Sequence, residues 1–168
     1  MKRYGIIYGS STGTTAHVAE MIAEQLGVDK NDVHDVKGVN IEALGEYKVL
    51  ILGTSTWGSG ELQDDWYDLV AGVGALDLSD KKIALFGCGD ESMTETFCDG
   101  LADLRDKLLL TGATFIGAFN ADGYDFNHSR SQLEDGQMIG LVIDDVNRPE
   151  LTEIRVGRWC KMIMKECE

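Results

Sequence analysis

Residues 4–26 read YGIIYGSSTGTTAHVAEMIAEQL, and three patterns follow one another there without a break. YGIIY is a short continuous apolar run, as a strand buried on both faces requires. AHVAEMIAEQL places Val18, Ile22 and Leu26 four residues apart, the spacing of a helix with one buried face. Between them, GSSTGTT at 9–15 sets the hydroxyls of Ser10, Ser11, Thr12, Thr14 and Thr15 around Gly13. An anion held there would meet those hydroxyls and the free N–H groups of the helix's first turn. The turn has no Lys or Arg, and it fits neither the GxxxxGK[ST] loop of triphosphate binders nor GxGxxG. Neutral donors suit a single terminal phosphate; a Ser/Thr-rich turn that only caps the helix is the alternative reading.

The same alternation continues outward. KVLILGT (48–54), KKIALFG (81–87) and TFIGAF (114–119) are further apolar runs, and VHDV (33–36) is a weaker one. Phe97, Leu101, Leu104 and Leu108 form a helical stripe that stops before Gly112. The last helix is expected to begin with Thr152 as N-cap and a Leu151–Val156 staple, burying Val156, Trp159, Cys160 and Ile163. Strands alternating with helices predict a doubly wound three-layer α/β sandwich, one domain over residues 1–168. Residues 121–137 carry neither period and are followed by MIGLVI, so they read as a loop interrupting the fifth strand.

A chain of 168 residues, 43% hydrophobic, is long enough for a real core. Its 29 acids against 15 bases give a formal charge of −14, which opposes nucleic acid and anionic membrane as partners. The lack of a run of 18 apolar residues predicts no membrane insertion, and the N-terminus lacks a signal-peptide pattern, so a cytoplasmic monomer is expected. Cys88, Cys98, Cys160 and Cys167 fit neither a CxxC pair nor a zinc site, and His17, His34 and His128 are scattered; no metal is expected.

In an open parallel sheet a ligand lies beyond the carboxyl ends of the strands. Two more unusual loops fall there, TSTWGSGELQDDW (54–66) and GCGDESMTET (87–96). Trp57 either stacks on a flat ring or is an ordinary core or interface aromatic. Gly58 and Gly60 permit backbone angles closed to other residues, including a peptide that turns over between two states.

Taken together, Ser10-Ser11-Thr12-Gly13-Thr14-Thr15, TSTWGSGELQDDW, GCGD (87–90) and ADGYDFNHSR…GLVIDDVN…LT resemble the flavodoxin family, specifically its long-chain branch, over essentially the whole chain. The resemblance implies a five-stranded parallel sheet of order 2-1-3-4-5 with an insertion at about 120–138, and non-covalently bound FMN. It implies a low-potential one-electron carrier, not an enzyme, shuttling between a reductase donor and a low-potential acceptor whose surfaces are basic. Residues Ser10 to Thr15 would bind the phosphate. Thr56 and Trp57 would cover one flavin face, Thr54, Ser55 and Gly60 would also belong to the cofactor-binding loop, and the Gly58-Ser59 peptide would face the flavin N5. There the Gly58 carbonyl would turn to stabilise a neutral semiquinone. Cys88, Gly89 and Asp90 would meet the pyrimidine end. A fixed negative charge about 10 Å from the flavin, at an effective dielectric of 20, opposes its reduction by roughly 1.7 kcal/mol, on the order of 70 mV per electron. Asp64, Asp65, Asp90, Glu91 and Glu95 are the candidates for that field.

The chain departs from the family at one point. Members usually carry a tyrosine shortly after GxGD that stacks on the second flavin face, and here Met93 or Thr94 stands in its place. Met93 against the ring would contribute a sulfur–aromatic contact of about 0.3–1.5 kcal/mol; the alternative is that Met93 packs inward and leaves that face open to solvent. An FMN-dependent NAD(P)H:quinone reductase of the same fold is the alternative function, although no basic or aromatic platform for a nicotinamide dinucleotide is evident.

Overall fold

The structure, a computed structural model, describes residues 1–168. Its central strands are β1 (Lys2–Gly9), β3 (Tyr47–Trp57) and β5 (Lys82–Cys88), all parallel, with β2 (Val33–Asp35) added outside β1. Beyond β5 the fifth position is shared. There β6 (Thr114–Ile116) pairs with Lys82–Ala84, and β7 (Leu141–Ile143) pairs with Phe86–Cys88. The order along the sheet is thus the expected one, with the expected interruption of the fifth strand. A short β4 (Glu61–Leu62) folds back antiparallel on the end of β3.

Alternation along the strands builds two cores. Ile7, Leu50, Leu52, Ile83, Leu85 and Val142 point to one face, where α2 (Trp66–Val73) and α3 (Asp99–Leu108) cover them. Ile6, Val49, Ile51, Ala84, Phe86, Leu141 and Ile143 point to the other, under α1 (Thr14–Leu26) and α4 (Pro149–Glu166). Both faces being apolar explains the continuous hydrophobic runs. No helix is long and apolar enough to cross a membrane.

Two boundaries differ from the sequence expectation. Helix α4 starts at Pro149 after Arg148, not after Thr152. Proline at the first helical position has its φ preset and lacks the N–H that would go unpaired. Thr152 is buried in the first turn, where its hydroxyl donates to Asp145 Oδ1 at 2.7 Å. Of MIGLVI only Leu141–Ile143 is strand; Met138 instead bridges Phe119 and Gln132 within the inserted segment.

That segment is anchored by Arg155 of α4, which is 5% exposed. Its guanidinium donates to the carbonyls of Asn120 (2.6 Å), Asp122 (3.2 Å) and Val142 (3.3 Å) and to Asn120 Oδ1 (3.1 Å), and lies over the rings of Phe119 and Tyr124. Every hydrogen-bond acceptor is a neutral oxygen, so dipoles and ring faces, with the Asp122 charge acting from further off, offset the desolvation that lowers its pKa. Replacing Arg155 by Met keeps the stem and strips three carbonyls of their donor. A loss of about 3 kcal/mol in urea denaturation is expected, with the amides of Leu141–Ile143 losing hydrogen-exchange protection first. Arg155→Lys should recover only part, since an ammonium lacks the planar fork. A loss under about 1 kcal/mol for Arg155→Met would refute this assignment.

Candidate functional site

The strand register brings the loops together. Gly9 lies beside Thr54, Thr54 beside Gly87, and Gly87 beside Val142, so the segments after β1, β3, β5 and β7 leave one edge of the sheet from one level. Three of these were expected; the fourth, residues 144–148, was not.

In the first loop Ser10 Oγ accepts from the Gly13 amide at 3.1 Å, and Ser11 Oγ accepts from Gln63 Nε2 at 3.1 Å. Gly13 leads into α1 with no side-chain cap, and the first bond of the helix is His17 N–H to the Gly13 carbonyl. The first-turn amides and the hydroxyls of Ser10, Thr12 and Thr14 therefore form a donor-rich, cation-free cradle on the positive end of a helix dipole. Thr15 is buried, and its Oγ1 has no hydrogen-bond partner within the protein. An unpartnered buried hydroxyl costs roughly 1–3 kcal/mol, a cost that an incoming acceptor removes. The Cys88 thiol lies nearby without a hydrogen bond of good geometry to it. Burial pushes that thiol up to about 12, with the Thr15 side chain opposing the shift.

The second loop is a hairpin. Trp57 pairs with Glu61 and Thr56 with Leu62, and Gly60 N–H to the Trp57 carbonyl (3.1 Å) closes the tip Gly58-Ser59-Gly60. Both glycines are left-handed, φ 52° and 101°, which the tip needs and other residues resist. Trp57 is 41% exposed, and its Nε1 donates to Ser55 Oγ at 2.8 Å, which orients the indole. The hydroxyls of Thr54 and Thr56 are used within the fold: Thr54 donates to the Ser55 carbonyl and accepts from the Gln63 amide, and Thr56 accepts from the Gly100 amide.

The third loop is tied to the fourth. Gly89 N–H donates to the Ile143 carbonyl, and Asp90 accepts from the Ser92 amide and from Asn147 Nδ2. The Ser92 hydrogen bonds hold the Asp90 carboxyl below its usual range. Behind it, fully buried Asp144 collects the amides of Glu91, Val146 and Asn147 and the Asn147 side chain at 2.7–3.1 Å. Four N–H donors compensate this charge without a cation. Met93 is half exposed, whereas the Thr94 carbonyl accepts the amides of Asn127 and His128 and so anchors the inserted segment.

The acidic field is smaller than the sequence suggested. Glu91 pairs with Arg148 (2.8 Å) and accepts the Asp125 amide, so its charge is compensated. Asp65 lies 3.4 Å from Lys37, whose exposure makes that pair weak. Glu95 meets only the neutral Asn127 amide, and Asp64 is exposed; with Asp90 these retain their charge at the rim.

The flavodoxin family model matches residues 6–159. Flavodoxin 1 of Escherichia coli K12 is 44% identical over 163 residues, covering 96% of this chain and 93% of its own. The flavodoxin of Nostoc sp. PCC 7120 is 37% identical over 166 residues, 98% of this chain and 97% of its own. Among solved structures, Fusobacterium nucleatum flavodoxin bound to flavin mononucleotide superposes with a TM-score of 0.88 at 33% identity, covering 99% of both chains.

The Thr15 hydroxyl separates a structural role from a binding one. Thr15→Val in protein stripped of small molecules should be neutral or raise stability by up to about 1 kcal/mol in urea denaturation, because it removes a buried group without a partner. A loss greater than about 1 kcal/mol would show that the hydroxyl serves the fold.

Proposed function

The chain belongs to the flavodoxin family, and from that premise we propose that its four-loop edge holds FMN and that the protein carries single electrons between redox partners. FMN supplies a ring that takes up and gives back electrons one at a time. The observation that carries the assignment of the site is the buried, unpartnered Thr15 hydroxyl in a cradle of neutral donors. Ser10, Ser11, Thr12, Gly13, Thr14 and Thr15 hold the phosphate through hydroxyls and helix amides. No cation is needed, because the helix N-terminus and several donors share the charge of one monoester.

Trp57 offers an exposed, oriented indole for one ring face. Met93, half exposed on the opposing loop, covers the other, while Thr94 contributes by fixing that loop. With the Gly89 amide committed to Ile143, the loop meets the ring through the backbone of Cys88 and Asp90. Thr54, Ser55 and Thr56 act from behind, orienting Trp57 and seating the hairpin. The Gly58–Ser59 peptide can turn its carbonyl outward, since both orientations are open to glycine.

The carrier has no substrate turnover of its own. Asp64, Asp90 and Glu95 leave the rim acidic in a chain of net charge −14, so its donors and acceptors present basic surfaces and associate quickly in a salt-sensitive manner. The same charge opposes self-association. Four free thiols suit the reducing cytoplasm.

Anaerobic potentiometric titration of the FMN-loaded protein tests the reading. Two one-electron waves separated by more than about 120 mV are expected, a hundredfold ratio at ~59 mV per tenfold. A single two-electron wave would instead favour quinone reduction. Thr15→Val should weaken FMN binding about tenfold or more by fluorescence titration, the cost of one hydrogen bond to a charged group. Met93→Tyr should tighten it by about 2–12-fold, the 0.5–1.5 kcal/mol of an aromatic stack; an unchanged affinity would place Met93 away from the ring.

A further inference from the structure

The segment between β6 and β7 reaches the hairpin tip. Ser129 and Ser131 are 4% and 0% exposed, and their hydroxyls donate to the carbonyls of Phe97 and Cys98. Between them the Arg130 amide donates to Asp99 Oδ1 at 2.7 Å. Three consecutive residues thus strap the entry to α3, where Cys98 is the one non-glycine residue with positive φ, 55°. A left-handed residue of this kind costs roughly 1–2 kcal/mol and persists where its surroundings over-determine it.

The Arg130 side chain leaves this strap for the hairpin. Its Nε lies 3.3 Å from Asp99 Oδ2, and its Nη2 donates to the Gly60 carbonyl at 3.1 Å. From the other side Gly60 is closed in by Asp99, since a Cβ at Gly60 would fall 2.8 Å from Asp99 Cβ and 2.9 Å from Oδ2. Gly100 packs as tightly beneath: a Cβ there would lie 2.9 Å from the Glu61 carbonyl and 3.0 Å from that of Ser55. One end of the tip is therefore fixed at Gly60. At Gly58, two residues earlier, the three atoms nearest to an added Cβ all belong to the Glu61 carboxylate, 3.2–3.4 Å away, the movable end of a side chain, not packed backbone.

We propose that Arg130 is a positioning residue for the tip: through the Gly60 carbonyl it holds the tip's second half still and confines backbone turning to the Gly58–Ser59 peptide. The effect on electron transfer rests on the reading above, that this tip faces the FMN ring. Asp99, buried, supplies the counter-charge, so the clamp adds no net positive charge beside the site.

The test compares wild type, Arg130→Ala and Arg130→Lys in two measurements. In FMN-free protein, hydrogen exchange at the Gly60 amide, which closes the tip on Trp57, should be about tenfold faster in Arg130→Ala, with the Ile83–Phe86 amides of β5 unchanged and serving as the reference for global stability. In FMN-loaded protein the ratio of the two one-electron equilibrium constants should shift at least about threefold, and Arg130→Lys should restore part of both effects through a single hydrogen bond. Unchanged exchange at Gly60 would overturn the proposal. Faster exchange confined to residues 97–99 and 129–131, with the ratio of constants unmoved, would also overturn it, leaving Arg130 a strap and nothing more. Wild-type protein that fails to retain FMN would overturn the electron-carrier reading instead, and the FMN-free exchange would still decide whether Arg130 governs the tip.

Discussion

The pairing of β3 between β1 and β5, with Gly9, Thr54 and Gly87 side by side, is the constraint from which the site follows. Both faces of these strands are buried, so a slip of one residue would exchange Leu50 and Leu52 with Val49 and Ile51 and misplace two cores at once. The register therefore cannot drift. Because parallel strands all end at one edge, a fixed register delivers a fixed geometry of loops. The first loop's donor cradle, the hairpin and the Cys88–Asp90 loop meet there, and contacts such as Gln63 to Ser11 and Gly89 to Ile143 join them to their neighbours.

Charge is handled at that edge in three physically distinct ways. Asp144 is buried and satisfied by N–H donors, and Arg155 is buried and satisfied by carbonyls; both let dipoles do what a counter-ion would otherwise do. Glu91 and Arg148 form a direct pair, which removes Glu91 from the rim's field. Asp64, Asp90 and Glu95 stay uncompensated by any cation. Each such charge within about 10 Å of a bound ring is worth on the order of 70 mV at an effective dielectric of 20. The choice among these three arrangements sets the field at the edge, more than the count of acidic residues does.

What could be read in advance was local. YGIIY, KVLILGT and KKIALFG announced strands because burial on both faces leaves no polar positions, and GSSTGTT raised the expectation of an anion cradle because its donors lie within seven consecutive residues. TFIGAF promised a longer strand than Thr114–Ile116; the chain turns away at Gly117, left-handed at φ 85°, a signal masked by the apolar residues on either side of it. The start of α4 was misplaced because Leu151-Thr152 mimics a cap while Pro149 gave the stronger signal. Contacts across long separations were invisible: Glu91 with Arg148, Gln63 with Ser11, Arg130 with Gly60. Asp144 and Arg155 look in sequence like any surface charge, and only their burial distinguishes them. The loop by itself left a phosphate cradle and a helix-capping turn both open; naming the cofactor required the family resemblance.

The broken fifth strand shows how the fold accommodates an insertion beside its site. Strands β6 and β7 use different stretches of β5, Lys82–Ala84 and Phe86–Cys88, so the ladder along β5 is nearly complete although the chain leaves between them. Closing a flexible loop over residues 117–140 would cost about 3 kcal/mol in chain entropy. The hydrogen bonds of Arg155 at one end, and those of Ser129, Arg130 and Ser131 further along, are of the size needed to offset it. Those anchors lie where the inserted chain touches β7, the α3 entry and the hairpin tip. An insertion held in that way is no free surface loop: the contacts that offset its closure also tie it to β7, the α3 entry and the hairpin tip.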